Sequence, residues 1–500
     1  MFLNLVVNCQ RTTVDIYVST YGNDDVECGS LNSPCKTIEG SFSSFQSIIE
    51  NMSPYYYQLN LYFYSGTYYS TSPQELFSYY VSFYTISEQT TYSSGDFVYF
   101  ANNATTPMFK VTNSGSYVMP TVVIFNDIII SNPYYSSTHL NEAYFMYIDP
   151  NQNVNTINVQ FNGVSIPFGP ISEIVYVYNQ NYNTNPMGDW ESYSQNLIVP
   201  YVTIGFSDSE FGNDIYTSSF DYSLVYSPYF PISLTIDNCN FTKIIASQTL
   251  FPIGRSQISF SNIQMEEVFV SYKPFFVIQN SQVTIRDSSF AGTIDHCAFL
   301  VCLGCFFDFR NNNNQFYYQS YSWNQDYPVL DIEKSFATIA NSSIALTGQQ
   351  QQQNDQGVIY AINSDVSIRM SAFSSNISFL INSDGSNFYG YLVGLSIYNS
   401  VYQYYVCSTK HRSVFKGDGF FRSNVPYGKN CEYYDDYQDT ISALDFVFVG
   451  VAFVLLCSFL IYSLRICCLK RKSKRILDTH TYTPICSGDI SPISSINPNI

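Results

Sequence analysis

Positive charge is scarce in this sequence: 21 Lys and Arg among 500 residues, against 39 Asp and Glu, for a net charge of −18. Six of the basic residues crowd near the C-terminus (Arg465, Lys470, Arg471, Lys472, Lys474 and Arg475), which leaves 15 basic and 37 acidic side chains before residue 465. Binding of nucleic acid needs Lys and Arg for phosphates, so that function is excluded for the large N-terminal part. Charge of either sign is low, at 12% of residues, which excludes a disordered polyelectrolyte. Histidine is limited to His139, His296, His411 and His480. No glycine loop for phosphates and no Ser/His/Asp set at a recognisable spacing occurs. What is abundant is aromatic: 46 Tyr and 40 Phe, enough to fill a core. Five hundred residues exceed one ordinary core, so the length implies several domains or one elongated repeat.

The run Phe446–Leu464 holds 19 residues without a charge. As a helix it spans roughly 28 Å, about the thickness of a bilayer's hydrocarbon. Asp435, Asp436, Asp439 and Asp445 precede it and the basic cluster follows. By the positive-inside rule the tail is cytoplasmic and the N-terminus extracellular, a single-pass type I plasma-membrane topology. Residues 1–9, with a short apolar stretch from Phe2 to Val7, read as a short or truncated signal peptide. Outside the membrane eight cysteines (Cys28, Cys35, Cys239, Cys297, Cys302, Cys305, Cys407 and Cys431) can pair in an oxidising compartment. Sequons at Asn51, Asn103, Asn240, Asn341 and Asn376 all fall on the same side. In the tail, Cys467 and Cys468 suit palmitoylation, and Tyr482 with Ile485 forms a Tyr-x-x-bulky sorting signal. The basic cluster is placed to meet anionic lipid heads.

The strongest pattern is internal. TLFPIGRSQISFSNIQM (249–265), PFFVIQNSQVTIRDSSF (274–290), PVLDIEKSFATIANSSI (328–344) and GVIYAINSDVSIRMSAF (357–373) align without a gap. Each is an alternating strand, a Ser turn, a second alternating strand and a polar turn. Taking the last inward residue of the second strand as marker gives Ile236, Phe260, Ile285, Phe309, Ile339 and Ile368, separated by 24 to 30 residues. Weaker copies place Ile124, Val159 and Ile204 in the same role. Short strands at this period without helices predict a β-solenoid. Two residues past the marker stand Asn238, Asn262, Asp287, Asn311 and Asn341, while Met370 breaks the series. Such a column resembles the internal asparagine ladder of right-handed parallel β-helices, which would bury the sequon at Asn341.

Residues 16–38, IYVSTYGNDDVECGSLNSPCKTI, and 59–70, LNLYFYSGTYYS, resemble the opening of extracellular pectin-lyase-like β-helix proteins. The matching residues are Tyr17-Val18-Ser19, Gly22, Asp24, Pro34, Lys36-Thr37-Ile38 and Gly66-Thr67-Tyr68. The resemblance implies a loop closed by Cys28 and Cys35. Richness in Asn, Gln and Tyr, with the tract Gln349–Gln353 as an outward loop, further resembles surface proteins of social amoebae. The expected fold is therefore all-β: a right-handed parallel β-helix ectodomain over 14–390, a disulfide-closed cap and acidic stalk over 391–443, a transmembrane helix over 444–466 and a disordered tail over 467–500.

Polysaccharide-cleaving relatives of that fold use calcium-binding carboxylates with an Arg or Lys base, or paired Asp with Gly-His-Gly and Arg-x-Lys. Here no His lies between two glycines, and no Arg-x-Lys accompanies an Asp pair. Glu266-Glu267 and Asp208-Ser209-Glu210 are the nearest carboxylate groups, and adjacent residues of a strand point to opposite faces. Cys297, Cys302 and Cys305 with His296 fall short of a zinc set, and a disulfide plus a buried thiol fits them better. Adjacent tyrosines, as at Tyr55-Tyr56-Tyr57, Tyr134-Tyr135 and Tyr317-Tyr318, must each expose one ring if extended. The expectation is a non-catalytic adhesion or recognition module for a glycan or protein, with no cofactor and no metal; the alternative is a tethered carbohydrate-active enzyme.

Overall fold

The computed structural model describes residues 12–434, apart from 51–56, 71, 77–79, 87–96, 103–105, 113–119, 132–143, 151–155, 168–172, 179–201, 214–216, 320–326, 349–356, 377–379, 398–405, 409–412 and 419–430. Period-two sequence becomes period-two burial throughout. Gln282–Arg286, for instance, buries Val283 and Ile285 and turns Gln282 and Arg286 outward. Each strand is too short to bury its apolar row alone, so it pairs in parallel with the equivalent strand one coil away. Phe251–Gly254, Gln257–Ser261 and Gln264–Ser271 make one coil; Phe276–Gln279, Gln282–Arg286 and Ser289–Asp295 make the next. Three parallel sheets result. The first has 15 strands and the second 14, while the third consists of runs of five and seven strands joined by the bridge Ser227–Ile253. This is a parallel β-helix.

The predicted markers stand in unbroken register: Ile236 beside Phe260, then Ile285, Phe309, Ile339 and Ile368. The weaker copies are corrected. Phe125, Phe161 and Phe206 continue the column to Ile236. Val159 and Ile204 sit one inward position earlier, and Ile124 faces outward beside Gln160. Each of these strands has several inward apolar residues, so alternation alone does not say which is last. Like stacks on like inside: Phe83, Phe125, Phe161 and Phe206 form a column with centroids 4.6–5.1 Å apart.

The Asn/Asp column is real but external. Asp208, Asn238, Asn262, Asp287, Asn311, Asn341 and Met370 all have φ between 44° and 57°, turning the corner from first to second sheet. That turn directs their side chains to solvent, where Asn311 Nδ2 donates to Asp287 (2.8 Å) and Asn341 Nδ2 to Asn311 (3.2 Å). Asn341 is thus exposed, not buried. The next residue points inward instead. Ile263 N donates to Ser288 Oγ (3.1 Å), Ser288 N to Asn312 Oδ1 (2.9 Å), Asn312 N to Ser342 Oγ (3.2 Å) and Ser342 N to Ser371 Oγ (3.2 Å). A second internal ladder lines the corner from third to first sheet. There Cys305 N donates to Ser335 Oγ (2.9 Å), Ser335 N to Ser364 Oγ (3.1 Å) and Ser364 N to Ser386 Oγ (3.0 Å).

The opening segment folds around Asp24. Its carboxylate accepts from Lys36 N (2.8 Å), Thr37 N (3.0 Å) and Thr37 Oγ1 (2.9 Å), and a Cβ at Gly22 would lie 2.4 Å from the Pro34 carbonyl. Cys28 and Cys35 are disulfide-bonded. A helix follows, Ile38–Glu50, capped by Thr37 Oγ1 accepting from Gly40 N (2.9 Å). It buries Ile38 and Phe45 in the common core, with Phe42, Ile48 and Ile49 packed against it. Only strands are expected here from the repeat; the spacing of these five apolar residues carries the helical signal.

At the other end the solenoid outlasts its predicted boundary at 390. Gly394–Ile397, Val406–Ser408 and Ser413–Asp418 extend the second, third and first sheets, and Cys431–Tyr434 adds a further strand to the first. A bond between Cys407 and Cys431 involves side chains outside the described part. Cys239, Cys297, Cys302 and Cys305 are free thiols and buried, which corrects their expected pairing with one another. Among the described residues no helix is long and apolar enough to cross a membrane. The run Phe446–Leu464, the signal segment 1–9, Cys467, Cys468, Tyr482, Ile485 and the tract Gln349–Gln353 lie outside the described residues.

Candidate functional site

The outward side of the first sheet carries a groove of about 430 Å³ over the strands Gln282–Arg286, Phe306–Arg310, Phe336–Ala340, Asp365–Arg369 and Asn387–Tyr391. Register places the outward residues in three straight columns. The first reads Gln282, Phe306, Phe336, Asp365, Asn387. The second reads Thr284, Asp308, Thr338, Ser367, Tyr389, and the third Arg286, Arg310, Ala340, Arg369, Tyr391.

Phe306 and Phe336 are 51% and 49% exposed although apolar, and their rings stack at 5.4 Å with an interplanar angle of 10°. Tyr389 and Tyr391 add rings exposed by 45% and 48%. Opposite the phenylalanines runs the guanidinium column. Asp308 holds two of its members, Arg310 Nε at 2.6 Å and Arg286 Nη2 at 4.0 Å. Arg369 has no such partner among the described residues. Asp365 accepts from Asn387 Nδ2 at 2.8 Å. In a chain of net charge −18, this groove sets two guanidiniums, Arg286 and Arg310, against two carboxylates, with Arg369 further along the same column. An apolar stacking platform flanked by forked donors suits a sugar face on one side and its polar or anionic groups on the other.

The carboxylates are poorly arranged for hydrolysis. Asp308 and Asp365 are two coils and one column apart, roughly 12 Å by the spacings of a parallel sheet. A paired-carboxylate glycosidase needs about 5–5.5 Å or 6.5–9.5 Å. Glu266 and Glu267 are both exposed, because a bulge between Met265 and Val268, with Glu267 at φ 54°, suspends the alternation that would separate them. His296 Nδ1 lies 2.5 Å from Asp295 and its ring stacks on Tyr272. Among the described residues no three His, Cys, Asp or Glu side chains gather as a metal site.

Of the sequons, Asn240 and Asn341 are exposed. Asn376 is half-buried and spends its amide on Gly348, donating to the carbonyl at 3.1 Å and accepting from the N–H at 2.9 Å. Asn51 and Asn103 lie outside the described residues. Tyr317 is 38% exposed and Tyr318 1%, the alternation expected of that pair. Of the other tyrosine runs, Tyr57 is half-buried and the remaining members lie outside the described residues. Further half-buried tyrosines stack outside the coil, with Tyr62 standing 5.3 Å from both Tyr17 and Tyr84.

The groove residues escape a reading of tyrosine runs, yet the aligned repeats contain them. The position after the Ser turn is Gln257 and Gln282 in two copies but Phe336 in the third, and Phe306 follows Cys305 in the coil between. An apolar residue at an outward position is the signal.

No protein-family model matches the chain, and no curated protein matches it by sequence. Solved structures similar to it include the A-module of the mannuronan C-5 epimerase AlgE6 of Azotobacter vinelandii, at 8% identity over 75% of this chain and 90% of that one, with a TM-score of 0.28. A glycoside hydrolase is 8% identical over 76% of this chain and 96% of its own, with a TM-score of 0.32. Tailspike protein 3 of bacteriophage CBA120 is 11% identical over 82% of this chain and 64% of its own, with a TM-score of 0.30. At these levels no chemistry passes from those proteins to this chain, and the β-helix rests on its own strand register.

Proposed function

We propose that this chain is a single-pass cell-surface glycoprotein whose β-helix binds an extracellular glycan along the first sheet without cleaving it. The observation that carries the reading is the stacked, half-exposed pair Phe306 and Phe336 beside the Arg286–Arg310 column. Keeping two such rings in water has no use in folding, since the coils on either side place Gln282 and Asp365 there. The membrane assignment is supported by the apolar run from Phe446 with acid before and base after. Many copies on one membrane would add avidity to a weak single contact.

A glycan array probed with the secreted chain tests this. Phe306→Ala with Phe336→Ala is expected to weaken binding by about 5- to 160-fold, since each lost ring contact contributes about 0.5–1.5 kcal/mol. Both residues are outward, so the fold is retained. Unchanged binding by the double variant would remove the groove from consideration. Release of unsaturated uronides or new reducing ends would make the chain an enzyme. In intact cells, a tag after Ile500 is expected to resist external protease, and a tag near Gln350 to be cut.

A further inference from the structure

One corner of the solenoid changes its residues toward the C-terminal end. From Asp127 onward, each turn from first to second sheet holds one residue in the left-handed region, and as far as Asn341 eight coils fill that place with Asp, Asn or Gly. The last two described corners use Met370 (φ 44°) and Leu392 (φ 50°), side chains that this backbone disfavours. The turn itself is unaltered, since Met370 N donates to the Tyr391 carbonyl (2.8 Å) as Asn341 N does to that of Arg369 (3.0 Å). Both side chains stand in water, Met370 54% and Leu392 57% exposed. Beside them on the second sheet, the outward row runs Gln264, Ser289, Asn313 and Ser343, then loses its polar side chains at Ala372 and Gly394. On the first sheet the half-exposed Tyr391 completes the patch, with the exposed Arg369 paired to it in register.

Such exposure does nothing for the fold, because Asn serves the same turn in earlier coils. We propose that this corner is a lipid-contacting rim, with Met370, Tyr391 and Leu392 seated in the headgroup region of the bilayer that anchors the chain. The inference rests on the single-pass reading above. Chain length favours lipid as the occupant. The strand carrying Tyr391 lies two strand spacings, about 10 Å, from Cys431–Tyr434, the last described strand of the first sheet. Residues 435–445 then lead to the apolar run at Phe446 and span at most roughly 36–40 Å when extended. This end of the first sheet is therefore tethered within reach of the bilayer. Met and Leu offer apolar area to acyl chains, and a tyrosine suits the boundary between apolar and wet layers. Arg369 has no carboxylate partner among the described residues and is left for a lipid phosphate. Asp418 follows Tyr391 in its column, so the contact depends on the apolar side chains rather than on net charge.

Photo-crosslinking tests this with the full-length chain in phosphatidylcholine vesicles, doped with a phosphatidylcholine that carries a diazirine near the head of one acyl chain. Adducts are expected on the peptides holding Met370 and Leu392 and on the apolar run after Phe446. None is expected on the peptide holding Asn262, which makes the same turn in an earlier coil. Met370→Asn with Leu392→Asn gives the corner the side chain that this turn carries elsewhere, so the fold is kept. That variant is expected to lose the corner adducts and keep those on the run. Adducts confined to the run in the parent chain would overturn the proposal and leave the membrane reading standing. Adducts on neither would remove both. Hydroxyl-radical oxidation of Met370 that is fast in vesicles but slow on intact cells would give the corner to a protein partner or a second copy, and refute lipid.

Discussion

Replacing Ser335 by Ala tests the internal serine ladders most directly. Ser335 is 2% exposed, and its hydroxyl donates to the Glu333 carbonyl (2.7 Å) while accepting from Cys305 N (2.9 Å). Without the hydroxyl, the Glu333 carbonyl keeps a donor in Gly304 N at 2.8 Å. Cys305 N has no such substitute, since the hydroxyl was its partner and the corner turns it away from the sheet ladder. The loss is therefore one buried unpaired N–H, which costs about 1–3 kcal/mol. Ser342→Ala repeats the experiment at the other corner, where the hydroxyl accepts from Asn312 N at 3.2 Å and donates to Ala340 at 2.8 Å. Urea unfolding of the two variants, followed by circular dichroism, measures the change. A shift below about 0.5 kcal/mol in both would show that these hydroxyls do not complete the backbone's hydrogen bonding.

Two further outcomes follow from burial. Asp331 is held up to about 7, first by burial and then by Glu333, so the folded chain keeps this proton more tightly than the unfolded chain. Its contribution to stability is greatest below about pH 4 and falls toward pH 7, by at most about 1.4 kcal/mol per unit. Asp331→Asn is expected to flatten that fall when urea midpoints are compared across the range, and a slope equal to the parent's would refute the assignment. When the chain passes through a secretory pathway, glycopeptide mapping is expected to find sugar at the exposed Asn240 and Asn341, and less at Asn376, which is half-buried with its amide both donating to and accepting from Gly348.

The sequence displays the solenoid because each coil repeats one pattern against the same neighbours, so periodicity survives even where identities change. Ile236 to Ile368 could be placed residue by residue. Orientation at the corners was harder to read. Asn262 and Ile263 are adjacent, and only the left-handed φ of the first decides that it faces water and the second the core. The amide ladder inferred for the interior is built by the residues beside it, Ser288, Asn312 and Ser342. The groove was hidden for a related reason. Phe306 and Phe336 look like core residues until the register shows that Phe307 and Ala337 are the buried ones.

Corner length has a consequence for how such a molecule can vary. Every passage from first to second sheet, from Asn126–Ile129 to Tyr391–Gly394, is two residues long. From Phe251 to Asn387 the passages from third to first sheet are also two residues. Insertions in that stretch fall on the remaining edge, where the chain takes four residues after Ser271 but ten after Gly348. The first sheet is thus a ruler marked every 4.8 Å or so, its graduations undisturbed by what is inserted elsewhere. Duplicating or deleting one coil would lengthen or shorten the reading surface by one graduation, and grafted peptides would be displayed along a single margin, clear of the groove.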